Sequence, residues 1–318
     1  MDLFSNLLDN DDKYSIFVDE SKLENDYVPH KLPYREKGLS ILAQYFLPIL
    51  LHRNAISKNI LITGNSGTGK TATVKFFISL LRKEAEKRER FLYSVFINCR
   101  VKKSGYKILM TILSSINPKF TKRGYAPSEL LDLLREFTEL DNVYLLIILD
   151  EFNHLIKNNK DILHSLTRLN DDSFNKPSHI SIIGITQNIS CIDDLDSGTI
   201  STLQRNIINF SDYSKKQVFD ILKFRAELSF KKDAISNDVI RLISDETYRK
   251  KDIRYGLNLL WKAGKIAELQ NLSKITKECV KLGIQDIFYM QSTDLENIAK
   301  TKKSKEIYEH KQRRNKEK

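Results

Sequence analysis

The sequence contains neither of the features that mark a membrane-embedded or secreted chain. Its apolar stretches fall well short of the roughly eighteen residues that a transmembrane helix needs, and the run over 46–51 is typical of them. The N-terminus has no basic region ahead of an apolar one, so a signal peptide is not expected. Only three cysteines occur, at 99, 191 and 279, and this spacing fits a reducing compartment better than a disulfide framework or a local metal-binding pair. We therefore expect a cytoplasmic protein with no membrane partner.

Composition and charge are those of an ordinary globular protein with an excess of positive charge. The 318 residues are 41% hydrophobic and 29% charged, which suggests about two domains. The net charge of +11 would suit a nucleic-acid partner, but the charge is unevenly distributed. Residues 1–30 hold eight acidic and two basic side chains, whereas residues 302–318 hold eight basic and three acidic ones. We interpret the basic tail, from composition alone, as a disordered and solvated end.

A glycine-rich stretch from Gly64 to Thr71 fits the pattern G-x-x-x-x-G-K-[ST] of a phosphate-binding loop. Residues 59–63 predict a short buried strand before it, and apolar residues recur at helical spacing over 74–81 after it. The glycines allow backbone N–H groups to turn inward around a phosphate at the positive end of the new helix. Lys70 is then expected to reach the β- and γ-phosphates, and the Thr71 hydroxyl to ligate Mg²⁺. The predicted nucleotide-binding residues of this loop are Gly64, Asn65, Ser66, Gly67, Thr68, Gly69, Lys70, Thr71 and Ala72.

A second motif follows the unbroken apolar run over 143–149, which ends in Asp150 and Glu151. A run that is apolar at every position predicts a strand buried on both faces, typical of a parallel sheet between helices. Its carboxylates then lie at the edge where such sheets bind ligands. We expect Asp150 to hold Mg²⁺ and Glu151 to orient or deprotonate the attacking water. The alternative is an acidic pair that caps a helix N-terminus.

The basic segment 101–128 contains no acidic residue, and aromatic side chains are interleaved with the basic ones. Its basic residues are Lys102, Lys103, Lys107, Lys119, Lys122 and Arg123, and its aromatic residues are Tyr106, Phe120 and Tyr125. Such a segment can follow a phosphate backbone while its rings stack or wedge against the nucleic acid. A solvated positive face is nearly as good an interpretation.

The order of the predicted elements indicates an α/β fold followed by helices. Strands are predicted near 59–63, 92–98, 143–149, 180–185 and 206–210, separated by helical stretches, and this order predicts a parallel five-stranded sheet between helices. The pattern beyond Phe210 is all-helical. A capping box at Ser214–Gln217 begins one helix, Ser236 caps the next, and a third runs from Asp252 to Leu269. This part predicts a small helical lid.

These motifs resemble those of AAA+ ATPases, and in particular those of the archaeal replication initiators related to the origin recognition complex. The resemblance runs from about residue 16 to residue 284. Its specific parts are Ile16–Glu20, Tyr27–Pro29, Leu32–Glu36, Ile97–Arg100, Leu166–Arg168, Ser181–Thr186, Tyr213, Asp220–Arg225 and Asp252–Leu260. The resemblance implies ATP or ADP with Mg²⁺ as ligands. It also implies four divisions: an N-terminal segment near the adenine pocket over 1–36, a nucleotide-binding domain over 37–210, a lid over 211–290 and a basic tail over 291–318.

The resemblance also assigns roles to residues outside the phosphate loop. Val28 and Pro29 lie where the adenine pocket is built, and Tyr213 and Arg225 match residues that contact the nucleotide from the start of the lid. Arg254 matches the second sensor, an arginine on the γ-phosphate. Each of these three residues also has a structural interpretation: Arg254 as a surface arginine, Tyr213 as a packed aromatic residue and Arg225 as an ion-pair partner. The first-sensor position at the end of the fourth strand is occupied by Gln187 and Asn188, and either side chain can orient the attacking water.

Several positions depart from the family pattern. Only some thirty residues with a net basic charge follow Ile287, where the family carries a winged-helix domain, so we expect duplex contacts to come from the AAA+ body. The initiator family has a helical insertion facing DNA where segment 101–128 occurs, so the candidate DNA-binding residues are Lys102, Lys119, Lys122 and Arg123. The trans-acting arginine expected near 198–199 is missing, with Arg205 the nearest candidate, and Asn153 replaces an acidic residue. Hydrolysis is therefore expected to be slow.

The sequence thus predicts an ATP-binding switch that resembles a replication initiator or helicase loader and binds duplex DNA with weak sequence preference. A replicative helicase or another initiator subunit is a possible further partner. One alternative is a regulatory protein of a virus or plasmid that holds a nucleotide and binds a host replication protein. Another is a transposition-type AAA+ ATPase, which shares the core motifs.

Overall fold

A computed structural model of the chain contains two compact units, each described separately here. The residues that it describes are 15–52, 57–117, 119–120, 124–138, 143–169, 179–203 and 206–287. One unit runs from Val28 to Gln217, and the other combines the residues up to Tyr27 with those from Val218 onward. The predicted N-terminal segment 1–36 is therefore divided between the two units. Among the described residues, no helix is long and apolar enough to cross a bilayer.

The first unit is built on a five-stranded sheet in which every strand pair is parallel. The strands are β1 (Ile60–Thr63), β2 (Phe91–Asn98), β3 (Val143–Asp150), β4 (Ile180–Ile185) and β5 (Ile207–Asn209). Their order across the sheet is β2-β3-β4-β1-β5. The predicted parallel sheet between helices is confirmed.

Helices cover both faces of this sheet. They are α1 (Glu36–Leu51), α2 (Lys70–Lys87), α3 (Gly105–Ile116), α4 (Pro127–Thr138), α5 (Phe152–Asn158), α6 (Lys160–Arg168) and α7 (Ser197–Thr202), with a 3₁₀ helix at Ile189–Asp194. Alternate residues of β3 enter two separate cores, because successive side chains of a strand point to opposite faces. Leu145 and Ile147 pack with α3 to α6, whereas Leu146 and Ile148 pack with α1 and α2. The continuous apolar pattern of β3 follows from this burial on both faces.

The strand order places two loops of interest at the same edge of the sheet. The glycine-rich loop leaves the carboxyl end of β1, and Asp150 is the last residue of β3. Strand β4 pairs with both, since Ile183 lies opposite Ile60 of β1 and Ile148 of β3. Only one strand therefore separates the loop from the carboxylate.

The second unit is helical and includes the described residues 15–27 of the N-terminal segment. Its elements are a 3₁₀ helix at Glu20–Leu23, α8 (Lys215–Ser229, which begins at the boundary of the units), α9 (Asn237–Lys250), α10 (Ile253–Leu269) and a helical stretch over 277–287. The segment is held by backbone bonds, with Val18 N–H donating to Ser229 O at 2.7 Å. The rings of Phe17 and Phe230 pack with centres 4.8 Å apart. Residues 15–27 therefore pack against the helices of this unit, and Ile16, Phe17 and Leu23 enter its core.

The predicted helix starts are present in these helices. Gln217 N–H donates to Ser214 Oγ at 3.3 Å while Ser214 N–H donates to the Gln217 side chain at 2.9 Å, which is a reciprocal capping box. Ser236 caps α9, and Asp252 caps α10 through the N–H of Arg254. Short-range sequence signals therefore place all three helices.

Candidate nucleotide-binding site

The glycine-rich loop joins β1 to α2 with a backbone that depends on three glycines. Gly64, Gly67 and Gly69 have φ angles of 140°, 71° and 79°, a region that other residues rarely adopt. Gly64 also lies against β5, because a Cβ on it would come within 2.2 Å of the Phe210 carbonyl oxygen. The loop can take this path only with glycine at these positions.

Tyr213 lies directly against the loop. A Cβ on Gly69 would be 2.7 Å from the Tyr213 hydroxyl, so this glycine provides both the backbone angle and the space for the ring. Burial raises the pKa of the Tyr213 phenol, which stays neutral. The structure therefore brings together the loop and the tyrosine that the resemblance placed at the nucleotide.

Lys70 is the first residue of α2, and its side chain turns back over the loop. Its ammonium donates to the carbonyl oxygens of Gly64 and Asn65, both at 2.7 Å, and the residue is only 8% exposed. A buried ammonium at a helix N-terminus, surrounded by glycine backbone, gives this loop the positive charge and the shape that suit a polyphosphate.

Thr71 and Asp150 meet at the edge of the sheet. The Thr71 hydroxyl donates to Asp150 Oδ2 at 3.0 Å, and Glu151 N–H donates to Oδ1 at the same distance. Burial raises the pKa of the Asp150 carboxyl despite these bonds. A hydroxyl and one carboxylate are ligands that Mg²⁺ accepts together with water and phosphate oxygens. The donor set therefore fits Mg²⁺ bound to a nucleoside polyphosphate.

Glu151 occupies a strained backbone position next to this pair. Its φ and ψ angles are 53° and 46°, in the left-handed region, and its side chain makes no hydrogen bond that caps α5. Left-handed non-glycine residues are uncommon and concentrate at functional sites. The alternative of a capping side chain at this position finds no support in the geometry.

The two candidate first-sensor residues differ in how their side chains are used. Asn188 accepts hydrogen bonds from the N–H and the hydroxyl of Ser190, at 3.0 and 2.8 Å, and so begins the 3₁₀ helix Ile189–Asp194. Gln187 is exposed and makes no hydrogen bond to any described residue. Its side chain is therefore available at the end of β4, where that of Asn188 is engaged.

Three candidate residues outside the loop lie in different settings. Val28 is half-buried and Pro29 is buried, both at the start of the first unit. Arg254 is exposed on the first turn of α10 in the helical unit. Their assigned roles at the adenine and the γ-phosphate remain predictions.

Arg225 is buried within the helical unit. Its guanidinium donates to the carbonyl oxygens of Lys22 and Glu24, at 2.7 and 2.9 Å, and lies 5.2 Å from the centre of the Tyr27 ring. Burial lowers its pKa to about 10. This arginine thus fastens the N-terminal segment to α8, and its predicted contact with the nucleotide remains a prediction.

Arg35 is a residue of this region that sequence reasoning did not assign to the site. Its guanidinium donates through Nε to the Thr68 carbonyl oxygen at 3.1 Å and is 3.9 Å from the centre of the Tyr213 ring. The residue belongs to the motif Leu32–Glu36, which was matched to the family without a role. The sequence feature that could have indicated a role was an arginine inside a motif that already matched the family.

The basic segment 101–128 presents positive charge, and its aromatic rings contact the core. Lys102 and Lys119 are exposed, and the predicted Lys122 and Arg123 lie outside the described residues, as does Arg205. The rings of Phe120 and Tyr125 stack with centres 5.1 Å apart and pack, with Tyr106, against the core. All three rings are only partly buried, so their stacking or wedging at nucleic acid remains a prediction.

Asp150→Asn is expected to raise the melting temperature of the nucleotide-free protein at pH 8. Because burial raises the pKa of this carboxyl, the folded state binds its proton more tightly than the unfolded state does. Tighter proton binding stabilises the fold at pH values below the unfolded-state pKa of about 3.9. This stabilisation is lost as the pH rises through the folded-state pKa. The asparagine has no proton to lose, so its advantage over the wild type should grow from pH 4 to pH 8.

The measurement is thermal unfolding of both proteins across that pH range. Asp161→Asn serves as the control, because Asp161 is an exposed carboxyl in the same unit. An Asp150→Asn protein that melts below the wild type at pH 8 would show that the ionised carboxylate stabilises the fold, contrary to this expectation.

Two family models match the chain in the two parts described above. A model described as an AAA domain matches residues 57–191, which include the loop, Asp150 and Glu151. A model described as a Cdc6 AAA+ ATPase-type lid domain matches residues 219–285 of the helical unit.

Individual relatives and a solved structure agree with these two family models. The chain is 31% identical over 288 residues to ORC1-type DNA replication protein 1 of Archaeoglobus fulgidus, covering 90% of this chain and 69% of that protein. It is 37% identical over 268 residues to ORC1-type DNA replication protein 1 of Sulfurisphaera tokodaii, covering 83% of this chain and 65% of that protein. The solved structure of Aeropyrum pernix ORC1 in complex with DNA superposes with a TM-score of 0.77 at 29% identity, covering 86% of this chain and 70% of that one.

The chain spans about two thirds of the length of the curated relatives it matches. The resemblance to archaeal replication initiators, proposed from the motifs, is confirmed. The chain belongs to the family of ORC1-type DNA replication proteins.

Proposed function

We propose that the chain is an ATP-driven switch of DNA replication initiation, which binds MgATP, hydrolyses it slowly and binds duplex DNA through its AAA+ unit. The observation that carries this proposal is the hydrogen bond between Thr71 and Asp150 beside the buried ammonium of Lys70. Membership of the ORC1-type family supplies the biological setting. A transposition-type ATPase is not favoured by that membership.

Each residue of the site has a chemical task in this proposal. The loop from Gly64 to Thr71 binds the phosphates through backbone N–H groups and Lys70. Thr71 and Asp150 hold Mg²⁺, which neutralises charge on the phosphate oxygens when it is bound. Glu151 accepts the proton of the attacking water.

The sensor residues complete the site in this proposal. Gln187 orients the attacking water, because its side chain is available at the end of β4 while that of Asn188 caps the following turn. Arg254 responds to the γ-phosphate, a contact that ADP cannot make. Val28 and Pro29 line the adenine pocket, and Tyr213 and Arg225 contact the nucleotide.

Slow hydrolysis is supported by the absence of an arginine at 198 and 199. An arginine supplied in trans raises the rate of phosphoryl transfer by about 10³- to 10⁵-fold in enzymes that use one. Here Gly198 is the second residue of α7, and its backbone is so close to Arg168 that a Cβ would be 2.9 Å from that guanidinium. A larger residue at 198 would displace Arg168.

Duplex DNA is the proposed partner of the AAA+ unit. The A. pernix ORC1 structure named above is a complex with DNA. In this chain the exposed Lys102 and Lys119 flank α3, in a segment without acidic residues, and so present positive charge without local compensation. Lysines that contact phosphates position a protein without reading bases, so sequence preference is expected to be weak. A replicative helicase or another initiator subunit is a further proposed partner.

Glu151→Gln is expected to retain MgATP binding and to lower the rate of hydrolysis by about 10²-fold or more. The amide preserves the shape of the side chain but accepts no proton. The measurement is the single-turnover rate of ATP hydrolysis together with the dissociation constant of MgATP. Glu86→Gln makes the same chemical change on the exposed side of α2 and should leave both quantities unchanged. Turnover that survives in Glu151→Gln would remove Glu151 from the role of base.

Paired substitution of lysines in segment 101–128 should flatten the salt dependence of DNA binding. Each phosphate contact contributes a slope of about −0.9 in a plot of log K against log salt. Lys102→Ala with Lys119→Ala should therefore reduce the slope by up to about two units, and so should Lys122→Ala with Arg123→Ala. The measurement is a salt titration of duplex binding by fluorescence anisotropy.

The control for this titration removes two exposed lysines elsewhere in the same unit, Lys37 and Lys83. A chain ending at Ala299 tests the basic tail separately. If the control pair or the tail deletion changes the slope and the segment variants do not, segment 101–128 is a solvated face. If no form binds duplex near physiological salt, a protein partner replaces DNA in the proposal.

A further inference from the structure

Arg35 is a buried cation at the start of α1, in the unit that carries the phosphate loop. The residue is 9% exposed. Its guanidinium lies between two aromatic rings, 3.9 Å from the centre of the Tyr213 ring and 4.9 Å from that of Phe210. Both distances are those of cation–π contacts, and a planar guanidinium can also stack on an aromatic face, which an ammonium group cannot do.

The N–H groups of Arg35 are directed at backbone carbonyls. Nε and Nη2 both donate to the Thr68 oxygen, and Nη1 donates to the Tyr34 oxygen at 3.1 Å. No ion pair involves Arg35 in the part of the chain that the structure describes. The adjacent Glu36 is exposed and is the weakest of the electrostatic influences on this charge. A buried charge without a close ion-pair partner is unfavourable, so the position favours an anion bound nearby.

The accepting carbonyl belongs to the peptide that carries the Gly69 N–H. Gly69 immediately precedes Lys70 in the loop, and a Cβ placed on it would be 3.7 Å from Arg35 Nε. A cationic donor on a carbonyl oxygen polarises the whole peptide, which makes its N–H a stronger donor. The guanidinium also stacks on Tyr213, whose hydroxyl lies against Gly69.

We propose that Arg35 is a positioning residue for the phosphate end of the nucleotide, acting through the Thr68–Gly69 peptide and through Tyr213. This assignment rests on the proposed binding of a nucleoside polyphosphate by the loop. Arg35 touches neither the nucleotide nor the reacting atoms in this role. It strengthens the hydrogen bond from Gly69 to a phosphate oxygen, adds positive charge behind the loop and fixes the ring beside it.

Two substitutions separate this role from simple packing. Arg35→Met removes the charge and both donors to Thr68 but leaves a long apolar side chain between the rings. Arg35→Lys keeps the charge and one donor but loses the planar fork. Lys37→Met is the matched control, because it removes one positive charge from an exposed position two residues away.

The experiment measures dissociation constants of MgADP and of inorganic triphosphate with magnesium by calorimetry, for the wild type and all three variants. Arg35→Met should weaken both ligands by a similar factor of about 10-fold or more, the size expected for losing a hydrogen bond to a charged group. Arg35→Lys should lie between that variant and the wild type. Lys37→Met should match the wild type for both ligands. Melting curves without ligand establish that each variant is folded.

Several results would overturn the assignment. Unchanged affinity in Arg35→Met would do so, and so would a loss confined to MgADP, since triphosphate reports on the phosphate cradle alone. If Arg35→Met does not fold, Arg35→Lys decides the question: partial loss of both ligands supports the assignment, and wild-type affinity contradicts it. A wild-type protein that binds neither ligand refutes the proposed function itself, which distinguishes that failure from a failure of the Arg35 assignment.

Discussion

The site depends on one constraint, which is that the carboxyl ends of two parallel strands lie one strand apart at the same edge of a sheet. Strand β1 ends in the glycine-rich loop and β3 ends in Asp150, with β4 between them. This spacing allows the Thr71 hydroxyl, at the start of α2, to reach the Asp150 carboxylate at 3.0 Å. Burial of β3 on both faces fixes the strand, and therefore the carboxylate, in place.

Charged groups are buried around the loop at this edge of the sheet, where water is largely excluded. Lys70 is buried against carbonyl oxygens of its own loop, and Arg35 is buried against the Thr68 carbonyl oxygen of that loop. Burial raises the pKa of Asp150 and so disfavours its charge when the site holds no cation. These groups are costly in the unliganded fold, and the proposed polyphosphate and Mg²⁺ would make them favourable, as expected of a site built for binding rather than for stability.

Much of this arrangement could be predicted from local sequence patterns. The glycine pattern of the loop, the apolar run of β3 and the capping residues Ser214, Ser236 and Asp252 each encode short-range structure, and the structure contains all of them. The parallel sheet followed from the alternation of strands and helices. These features depend on residues that are close together in the chain.

What could not be predicted depends on contacts between distant residues. Arg35 acquires its place from Thr68, Phe210 and Tyr213, which no spacing in the sequence connects to it. The basic neighbours of the rings at 106, 120 and 125 indicate nucleic-acid stacking, and the contact of these rings with the core on that side of the sheet was not visible in the local pattern. The choice between Gln187 and Asn188 likewise depended on a hydrogen bond to Ser190 that spacing alone left open.

The central claim, that Thr71 and Asp150 form a magnesium site for a bound nucleotide, is tested most directly with Thr71→Val. Valine has the shape of threonine without its hydroxyl. The measurement is the dissociation constant of ATP, with Mg²⁺ and with a chelator, for the wild type and the variant. The wild type should bind ATP more tightly with Mg²⁺, and the variant should bind it about equally in the two conditions. A variant that keeps the full effect of Mg²⁺ would contradict the claim.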